Sequence, residues 1–249
     1  MGDLLIPVAA LAAALLFARG WGRLRRRRPS AAGGDRLLLY AAGSLTGLLG
    51  LLLLHGPAGE AASTHMLQHV LIGDLAPALV LVALRGPLLF AVVPRAVRRL
   101  FALRAVRTLV RPGPSLAVWA GLLWLWHVPA VYNAALAHES LHVLEHASFL
   151  AGGLLLWNAL IDPARRRALS LWGSLGYALA AMVAAQMLVS VLVLSYRPLY
   201  AYGDATDQSL AGLVMAVEQF LTLGTFAFFR LRAHFRAPLA LADGHPLRV

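Results

Sequence analysis

The sequence contains no cysteine and no lysine, and each absence restricts what the protein can do. Without cysteine it has no disulfide bond, no thiolate metal site and no cysteine nucleophile. Any metal chemistry must therefore use histidine, methionine, aspartate or glutamate. Charge is scarce as well: only 13% of the residues are charged, which is too little to cover the surface of a soluble protein of this length.

Apolar residues are what the sequence has in abundance. They make up 60% of the 249 residues, and the mean hydropathy is +0.72. We interpret the chain as a membrane protein in contact with the lipid bilayer. Its net charge of +11 comes from arginines in short clusters between apolar runs. A nucleic-acid-binding protein would spread them over a folded basic face, so we predict no nucleic-acid partner.

The apolar residues fall into seven runs, each close to the roughly 20 residues that cross a bilayer core. We predict an all-α polytopic membrane helix bundle in a single domain, 1–249. Its seven transmembrane helices are predicted near 4–20, 36–54, 66–84, 115–135, 141–160, 171–195 and 208–230. Residues 231–249 are predicted to form a cytoplasmic tail. The first run follows Asp3 and precedes a basic cluster, the reverse of a cleaved signal peptide, so we expect it to remain as a helix.

The arginines predict the orientation of the bundle. Clusters follow the first, third, fifth and seventh runs, and only Arg197 falls in a loop on the other side. Arginine collects in the cytoplasmic loops of membrane proteins. With seven spans, this places the N-terminus outside and the C-terminus in the cytoplasm.

The histidines sort to the opposite side from the arginines. Seven of the nine lie on the predicted outer side: His55, His65, His69, His127, His138, His142 and His146. His234 and His245 lie in the predicted tail, where we expect them to be solvated. Ionisable residues inside a membrane segment are costly, so a cluster of them needs a partner or a function.

The histidine spacing predicts a metal site. His65 and His69 are four residues apart, as are His142 and His146, and such positions differ by about 40° around a helix. Each pair therefore shares a face and can chelate an ion. Two pairs on facing helices, with His127 from a third, would surround one point just beneath the outer membrane surface.

Other residue types refine this prediction. Glu145 lies on the same stripe as the second histidine pair and can orient an imidazole or bind a metal directly. Met66 and Met215 supply thioether sulfur near the predicted site. Imidazole suits zinc, copper, iron and nickel, whereas thioether beside imidazole favours copper, and the cuprous ion above all.

Three blocks of the sequence resemble the CtaG family, membrane proteins linked to assembly of caa-type cytochrome c oxidase. The blocks are HMLQH, WHVPAVYNAALAHESLHVLEHASFL and DQSLAGLVM, and they extend from the third predicted helix to the seventh. The resemblance points to His65, Met66, Gln68, His69, His127, Pro129, Tyr132, His142, Glu145, His146, Asp207, Gln208, Gly212 and Met215. The sequence departs from the family pattern at Gly73 and Asp74, where methionine is common, and at Ala216, where an aromatic residue is common.

The resemblance implies an assembly factor rather than an enzyme, in a bacterial plasma membrane. We expect it to bind copper and to help place it in the oxidase subunit that carries the copper site, which would be its partner. The expected metal ligands are His65, His69, His127, His142, His146, Met215, Glu145 and Asp207.

Three alternative functions belong to other classes of protein. Three histidines and a carboxylate could hold zinc in a seven-helix membrane hydrolase. A haem b carrier is disfavoured, because two histidines on one helical face cannot bind opposite sides of a porphyrin. A copper permease would need polar residues through the full bilayer depth, and Asp74 and Glu218 are predicted near mid-membrane. We expect these two carboxyls either to be neutral and hydrogen-bonded to the side-chain amides of Gln186, Gln219 or Asn158, or to form a proton or ion route to the histidines.

Overall fold

A computed structural model describes residues 2–53, 61–166 and 169–242, with side chains described for 8–52, 61–166 and 169–236. His55 and His245 lie outside the described residues. The described chain is helical and contains no β-strand. Its α-helices are α1 Gly2–Arg27, α2 Gly34–Leu48, α3 Ala62–Val70, α4 Ala76–Ala83, α5 Pro87–Val92, α6 Arg95–Leu100, α7 Arg104–Leu109, α8 Pro112–Trp126, α9 Pro129–Ala137, α10 Glu139–Ile161, α11 Leu171–Leu194 and α12 Ala205–Ala242.

Five helical segments are long and apolar enough to cross a membrane. They are Pro29–Leu52, Ala62–Ala83, Glu139–Ile161, Leu171–Leu194 and Ala205–Arg236. The bent pair α8 and α9 makes a sixth if it is counted as one span. The first predicted span, 4–20, lies in α1, which is not among these segments. The chain is thus a multi-pass helical membrane protein with five to six candidate spans in its described part, and the seventh span stays a prediction.

The predicted span near 115–135 is not one straight helix. α8 ends at Trp126, α9 begins at Pro129, and their axes differ by 74°. Pro129 has no N–H group to donate and disfavours helical backbone at the residue before it. Val128 accordingly has the extended conformation, with φ −64° and ψ 124°. His127 therefore lies in a break between two helices rather than inside one.

The last helix is longer than predicted. α12 runs without interruption to Ala242, so residues 231–242 of the predicted tail continue the helix. Near the point where the predicted span ends, Arg230 donates to the carbonyl oxygen of Leu169 at 3.0 Å. This contact fixes the part of α12 around Arg230 beside the start of α11.

The histidine pairs and the arginine clusters occupy opposite ends of the bundle. The segment α3–α4 and helix α10 run in the same direction, since their C-terminal ends meet where Gly86 N donates to the carbonyl oxygen of Pro163 at 2.8 Å. Both begin at the histidine-bearing end, and the start of α12 packs there against the start of α3. Arginines 85, 165 and 166 follow the other ends. Which of the two ends faces the cytoplasm stays a prediction.

A glycine contact brings the two histidine-bearing helices together. Residues Leu71–Leu75 form a π-helical turn between α3 and α4. Within it, the backbone of Gly73 lies against Gly153 of α10, where a β-carbon would overlap the Gly73 carbonyl oxygen. Small residues allow such close approach of membrane helices. The crossing lies one turn beyond His69 and two turns beyond His146, so it sets the spacing of the site above it.

Candidate metal centre

The two histidine pairs face each other across the contact between α3 and α10. The imidazole rings of His65 and His142 are stacked with centroids 5.3 Å apart, and those of His69 and His146 are 5.4 Å apart. Within each helix the paired rings are 4.1 Å and 4.3 Å apart. The structure therefore brings together the four histidines that the i, i+4 spacing predicts, and we call them the histidine cluster.

Glu145 lies at the centre of the histidine cluster. Its side chain is fully buried, and its two oxygens point to different histidines, at 3.5 Å from Nε2 of His65 and 3.5 Å from Nε2 of His69. Two sets of three side chains could each bind a metal ion here: His65, His142 and Glu145, and His69, Glu145 and His146. Within each set, the potential ligand atoms all lie within 4.8 Å of one another. The carboxylate thus belongs to both sets.

Several polar atoms of this centre have no hydrogen-bond partner among the described residues. They are both ring nitrogens of His65 and of His69, Nε2 of His146, and both oxygens of Glu145. Burying a polar group without a partner costs on the order of 1–3 kcal/mol, and more when the group is charged. A cation bound by one nitrogen of each imidazole and by the carboxylate would satisfy several of these atoms at once. The donor set therefore fits a metal ion.

The histidine cluster is least covered beside His142. His65, His69 and His146 are buried, whereas His142 is half-buried, and the next residue, Val143, is 57% exposed on the outer face of α10. On the opposite side the ring of Tyr132 covers His65, with the ring centroids 5.2 Å apart. The α10 side is therefore the less covered side of the cluster.

His127 does not join the cluster. Its Nδ1 lies 2.7 Å from the carbonyl oxygen of Leu123, and its Nε2 lies 3.2 Å from the sulfur of Met66. It belongs to neither set of ligand atoms around Glu145. The predicted arrangement of all five histidines about a single point is therefore not what the structure contains, because the break at Pro129 turns the chain away just after His127.

A small cavity extends from the cluster toward the centre of the bundle. Its volume is about 40 Å³, which is room for a small number of water molecules. Its lining includes Met66, His69, His127 and Met215, followed by Asp74 and Glu218. Met215 is 4% exposed and lies here, below the histidine cluster.

Asp207 caps a helix instead of reaching the cluster. Its carboxylate accepts hydrogen bonds from the backbone N–H of Ala62 at 2.6 Å and of Ser63 at 3.2 Å, and from the Ser63 hydroxyl. These amide groups open α3 and have no partner inside the helix. The carboxylate of α12 thus fixes the first turn of α3, three residues before His65.

Asp74 has a partner that the sequence did not suggest. The predicted partners were side-chain amides, but its carboxyl accepts a hydrogen bond from the indole Nε1 of Trp157 in α10. An indole has one hydrogen-bond donor and no acceptor. Burying it in a membrane helix costs free energy unless that donor has a partner. Glu218 lines the same cavity from α12.

Tyr200 is a second residue that sequence reasoning missed. It lies in the loop between α11 and α12, stacks on Tyr132 with ring centroids 4.0 Å apart, and donates to the carbonyl oxygen of His127 at 3.3 Å. Burial, and then the negative charge of Glu145, raise the pKa of the Tyr200 phenol, so it stays protonated and donates. No spacing rule could have found it, since its contacts span about 70 residues of sequence.

The fold and the site together define a multi-pass helical membrane protein with a buried cluster of four histidines and one carboxylate at one end of the bundle. A profile of the family described as cytochrome c oxidase caa3 assembly factor (Caa3_CtaG) matches residues 15–237. The chain belongs to this CtaG family of oxidase assembly factors, as the sequence blocks predicted. Searches of curated proteins and of solved structures found no match.

Proposed function

We propose that this protein, in a bacterial plasma membrane, supplies copper to a cytochrome c oxidase during assembly. The metal is held by His65, His69, His142, His146 and Glu145. The single observation that carries the proposal is the convergence of two histidine pairs from two helices on one fully buried carboxylate. The family supports the client, because its members are assembly factors for a caa3 oxidase.

The surroundings of the cluster favour copper over zinc as the metal delivered. Two methionine sulfurs and a further imidazole line the cavity beneath the cluster, and thioether ligands select the cuprous ion. Imidazole and carboxylate alone would suit zinc equally well. Copper is therefore the proposed cargo and zinc the alternative.

Transfer to the oxidase would proceed by ligand exchange at the open side of the cluster. Each imidazole binds through one nitrogen, so a partner's histidines can replace the four ligands one at a time without a free ion. His142 is the half-buried member of the cluster and would leave first. Val143 and Leu144, 57% and 55% exposed beside it, offer an apolar surface for a helix of the oxidase subunit that carries the copper site.

The decisive experiment measures copper per haem in the oxidase. A deletion strain should still make the oxidase polypeptides and insert haem, yet its oxidase should contain less copper and have lower activity. Complementation with His65→Ala/His69→Ala should fail to restore the copper-to-haem ratio, whereas His234→Ala, an exposed histidine far from the cluster, should restore it. An unchanged ratio with normal activity in the deletion strain would defeat the proposal.

A zinc-dependent membrane hydrolase is the second candidate. The group His69, Glu145 and His146 matches the two histidines and one carboxylate of many catalytic zinc sites. The family favours a role in assembly rather than catalysis. Metal analysis of protein purified without a histidine tag separates the two, since a hydrolase would contain zinc and its deletion would leave oxidase copper normal.

A further inference from the structure

The proton positions on His127 leave two electron-pair donors facing each other. Its Nδ1 lies 2.7 Å from the Leu123 carbonyl oxygen, which can only accept, so Nδ1 carries the proton. In the neutral ring Nε2 then has a lone pair, and this lone pair points at the Met66 sulfur 3.2 Å away. A thioether has no proton to donate. No hydrogen bond joins the two atoms in this state, whereas a soft cation would bind both.

A third donor comes from another helix. Met215 of α12 lines the same cavity as Met66 of α3 and His127 at the end of α8, and all three are at least 94% buried. His69 borders the cavity as well, while also lying 3.5 Å from Glu145. The cavity is therefore continuous with the histidine cluster through His69.

We propose that Met66, His127 and Met215 form a second metal site that accepts the cuprous ion, with His69 as the residue shared with the cluster. This site rests on the proposed copper function and deepens it. Two thioethers and one imidazole are soft, uncharged ligands that suit a monovalent cation in a buried place. The cluster above, with its carboxylate, accepts divalent ions too. The deeper site thus selects cuprous copper against zinc, and no electron transfer is needed as the ion passes from one set of ligands to the other.

The test uses the full-length protein in detergent with silver(I), a monovalent soft ion, and zinc(II) as probes. Met66→Leu/Met215→Leu removes both sulfurs at nearly constant volume. It should lower silver affinity about tenfold or more and abolish the sulfur signal in X-ray absorption, with zinc affinity unchanged. Met187→Leu, whose side chain is 58% exposed on α11, is the matched control and should bind both ions like the wild type.

The outcomes separate this site from the proposed function. Silver affinity or sulfur coordination that persists in Met66→Leu/Met215→Leu would overturn the second site. His65→Ala/His142→Ala should show the converse pattern, with zinc binding lost and sulfur-bound silver retained. If both patterns appear but oxidase from the deletion strain has its full copper content, the copper-supply function fails while the site stands.

A separate observation at the other end of the bundle concerns arginines. Arg19, Arg23 and Arg27 of α1 and Arg95 and Arg98 of α6 line one groove of about 480 Å³. Its lining contains no acidic residue. The Nε of Arg98 is buried there and has no hydrogen-bond partner within the described chain. Five like charges around one groove repel one another, so an anion in the groove would be strongly favoured.

The walls of this arginine groove are apolar. Leu16, Leu24 and Phe90 line it, and α6 and its flanks expose Val97, Leu100 and Phe101. Basic pockets between membrane helices bind lipid headgroups, and exposed apolar residues on a short basic helix enter the interface. The geometry points to an anionic phospholipid as the ligand, with its phosphate among the arginines and its acyl chains along the leucine and phenylalanine wall.

The test compares thermal stability in lipid nanodiscs of phosphatidylcholine with nanodiscs containing phosphatidylglycerol, and with phosphatidylcholine plus inorganic phosphate. Phosphatidylglycerol should raise the unfolding temperature, and Arg23→Gln/Arg98→Gln should abolish the rise. Arg104→Gln/Arg107→Gln on α7, outside the groove, should keep it. An equal rise with inorganic phosphate would assign the groove to a free anion, and an equal rise in both double variants would overturn the site.

Discussion

Gly153 of α10 lies so close to Gly73 that a β-carbon at residue 153 would overlap the Gly73 carbonyl oxygen. Gly153→Ala should therefore push α10 away from α3 and separate the histidine pairs. We expect a loss of about 1–3 kcal/mol in the free energy of unfolding and a lower metal content per protein. Thermal unfolding in detergent and metal analysis measure both.

Gly176→Ala is the matched control for this prediction. An added β-carbon at Gly176 of α11 meets nothing within 4 Å, and alanine favours the helix. This variant should be at least as stable as the wild type. If the two alanine variants unfold at the same temperature, the close glycine crossing does not position the site.

The histidine cluster should act as a unit. His65→Ala/His69→Ala and His142→Ala/His146→Ala should each abolish the binding of a divalent ion such as zinc(II), because each removes one whole side of the site. Glu145→Gln keeps the shape but removes the charge, and should lower affinity for a divalent ion about 10–100-fold. Inductively coupled plasma mass spectrometry on purified protein gives the metal content. Zinc(II) that remains bound in the variant lacking all four histidines would show that divalent ions bind elsewhere.

Asp207 allows a test that separates helix capping from metal binding. Asp207→Ala removes the acceptor for the N–H groups of Ala62 and Ser63, and should cost about 0.5–2 kcal/mol of stability. Ser63→Ala removes one bond to the same carboxylate and should cost less. Metal content should be unchanged in both variants. A large loss of metal from Asp207→Ala, but not from Ser63→Ala, would instead make Asp207 a ligand.

The carboxyls at mid-membrane should be separable from metal retention. Asp74→Asn keeps an oxygen that accepts from Trp157, so the contact between the helices should survive, whereas Trp157→Phe removes the donor and should destabilise the protein.

Asp74→Asn/Glu218→Gln should purify with normal copper, since neither residue belongs to the cluster. Release of copper to a chelator is the second measurement: a slower release in the double amide variant would place these residues on an ion or proton route.

The orientation prediction can be checked with reporter fusions. Reporters after residue 105 and at the C-terminus should read cytoplasmic, and a reporter after residue 60 should read external, because the arginine clusters flank the former positions. A reporter after residue 30 should also read cytoplasmic, because the candidate span Pro29–Leu52 separates it from residue 60. A C-terminus on the external side would place the histidine cluster at the cytoplasmic face, and would contradict delivery from outside.

The sequence predicted those parts of the molecule that depend on local periodicity. Apolar runs of membrane length located the helices of the bundle, and the four-residue spacing of His65 and His69 put both on one face. The V–P dipeptide at Val128 held a signal for the break, since proline restricts the residue before it. The sequence nevertheless predicted a single span there, because the apolar run on both sides of Val128 is long enough to cross a bilayer.

Long-range pairing could not be predicted from such patterns. The sequence placed His127 at the same depth in the membrane as the two histidine pairs, and so predicted it as a fifth member of the cluster. Its contact with Met66 depends on the direction that the chain takes after the break. Asp207 lies about 145 residues from the amide groups that it caps. Nothing local distinguishes a carboxylate that binds a metal from one that binds the start of a neighbouring helix.

Since α3 and α10 run in the same direction and begin at the same end, the histidine cluster lies beside the first two turns of both helices. Each helix start carries the equivalent of about half a positive charge, worth roughly 0.3–1 kcal/mol against a nearby cation. The start of α12 lies at the same end, and its Asp207 carboxylate offsets part of the field of α3 by accepting from the first N–H groups of that helix. Backbone electrostatics thus weaken the hold on any metal ion in the cluster, and Glu145 is the charge that offsets them. Under the proposed function, the charge of Glu145 would hold a cation here while the helix starts would ease its release.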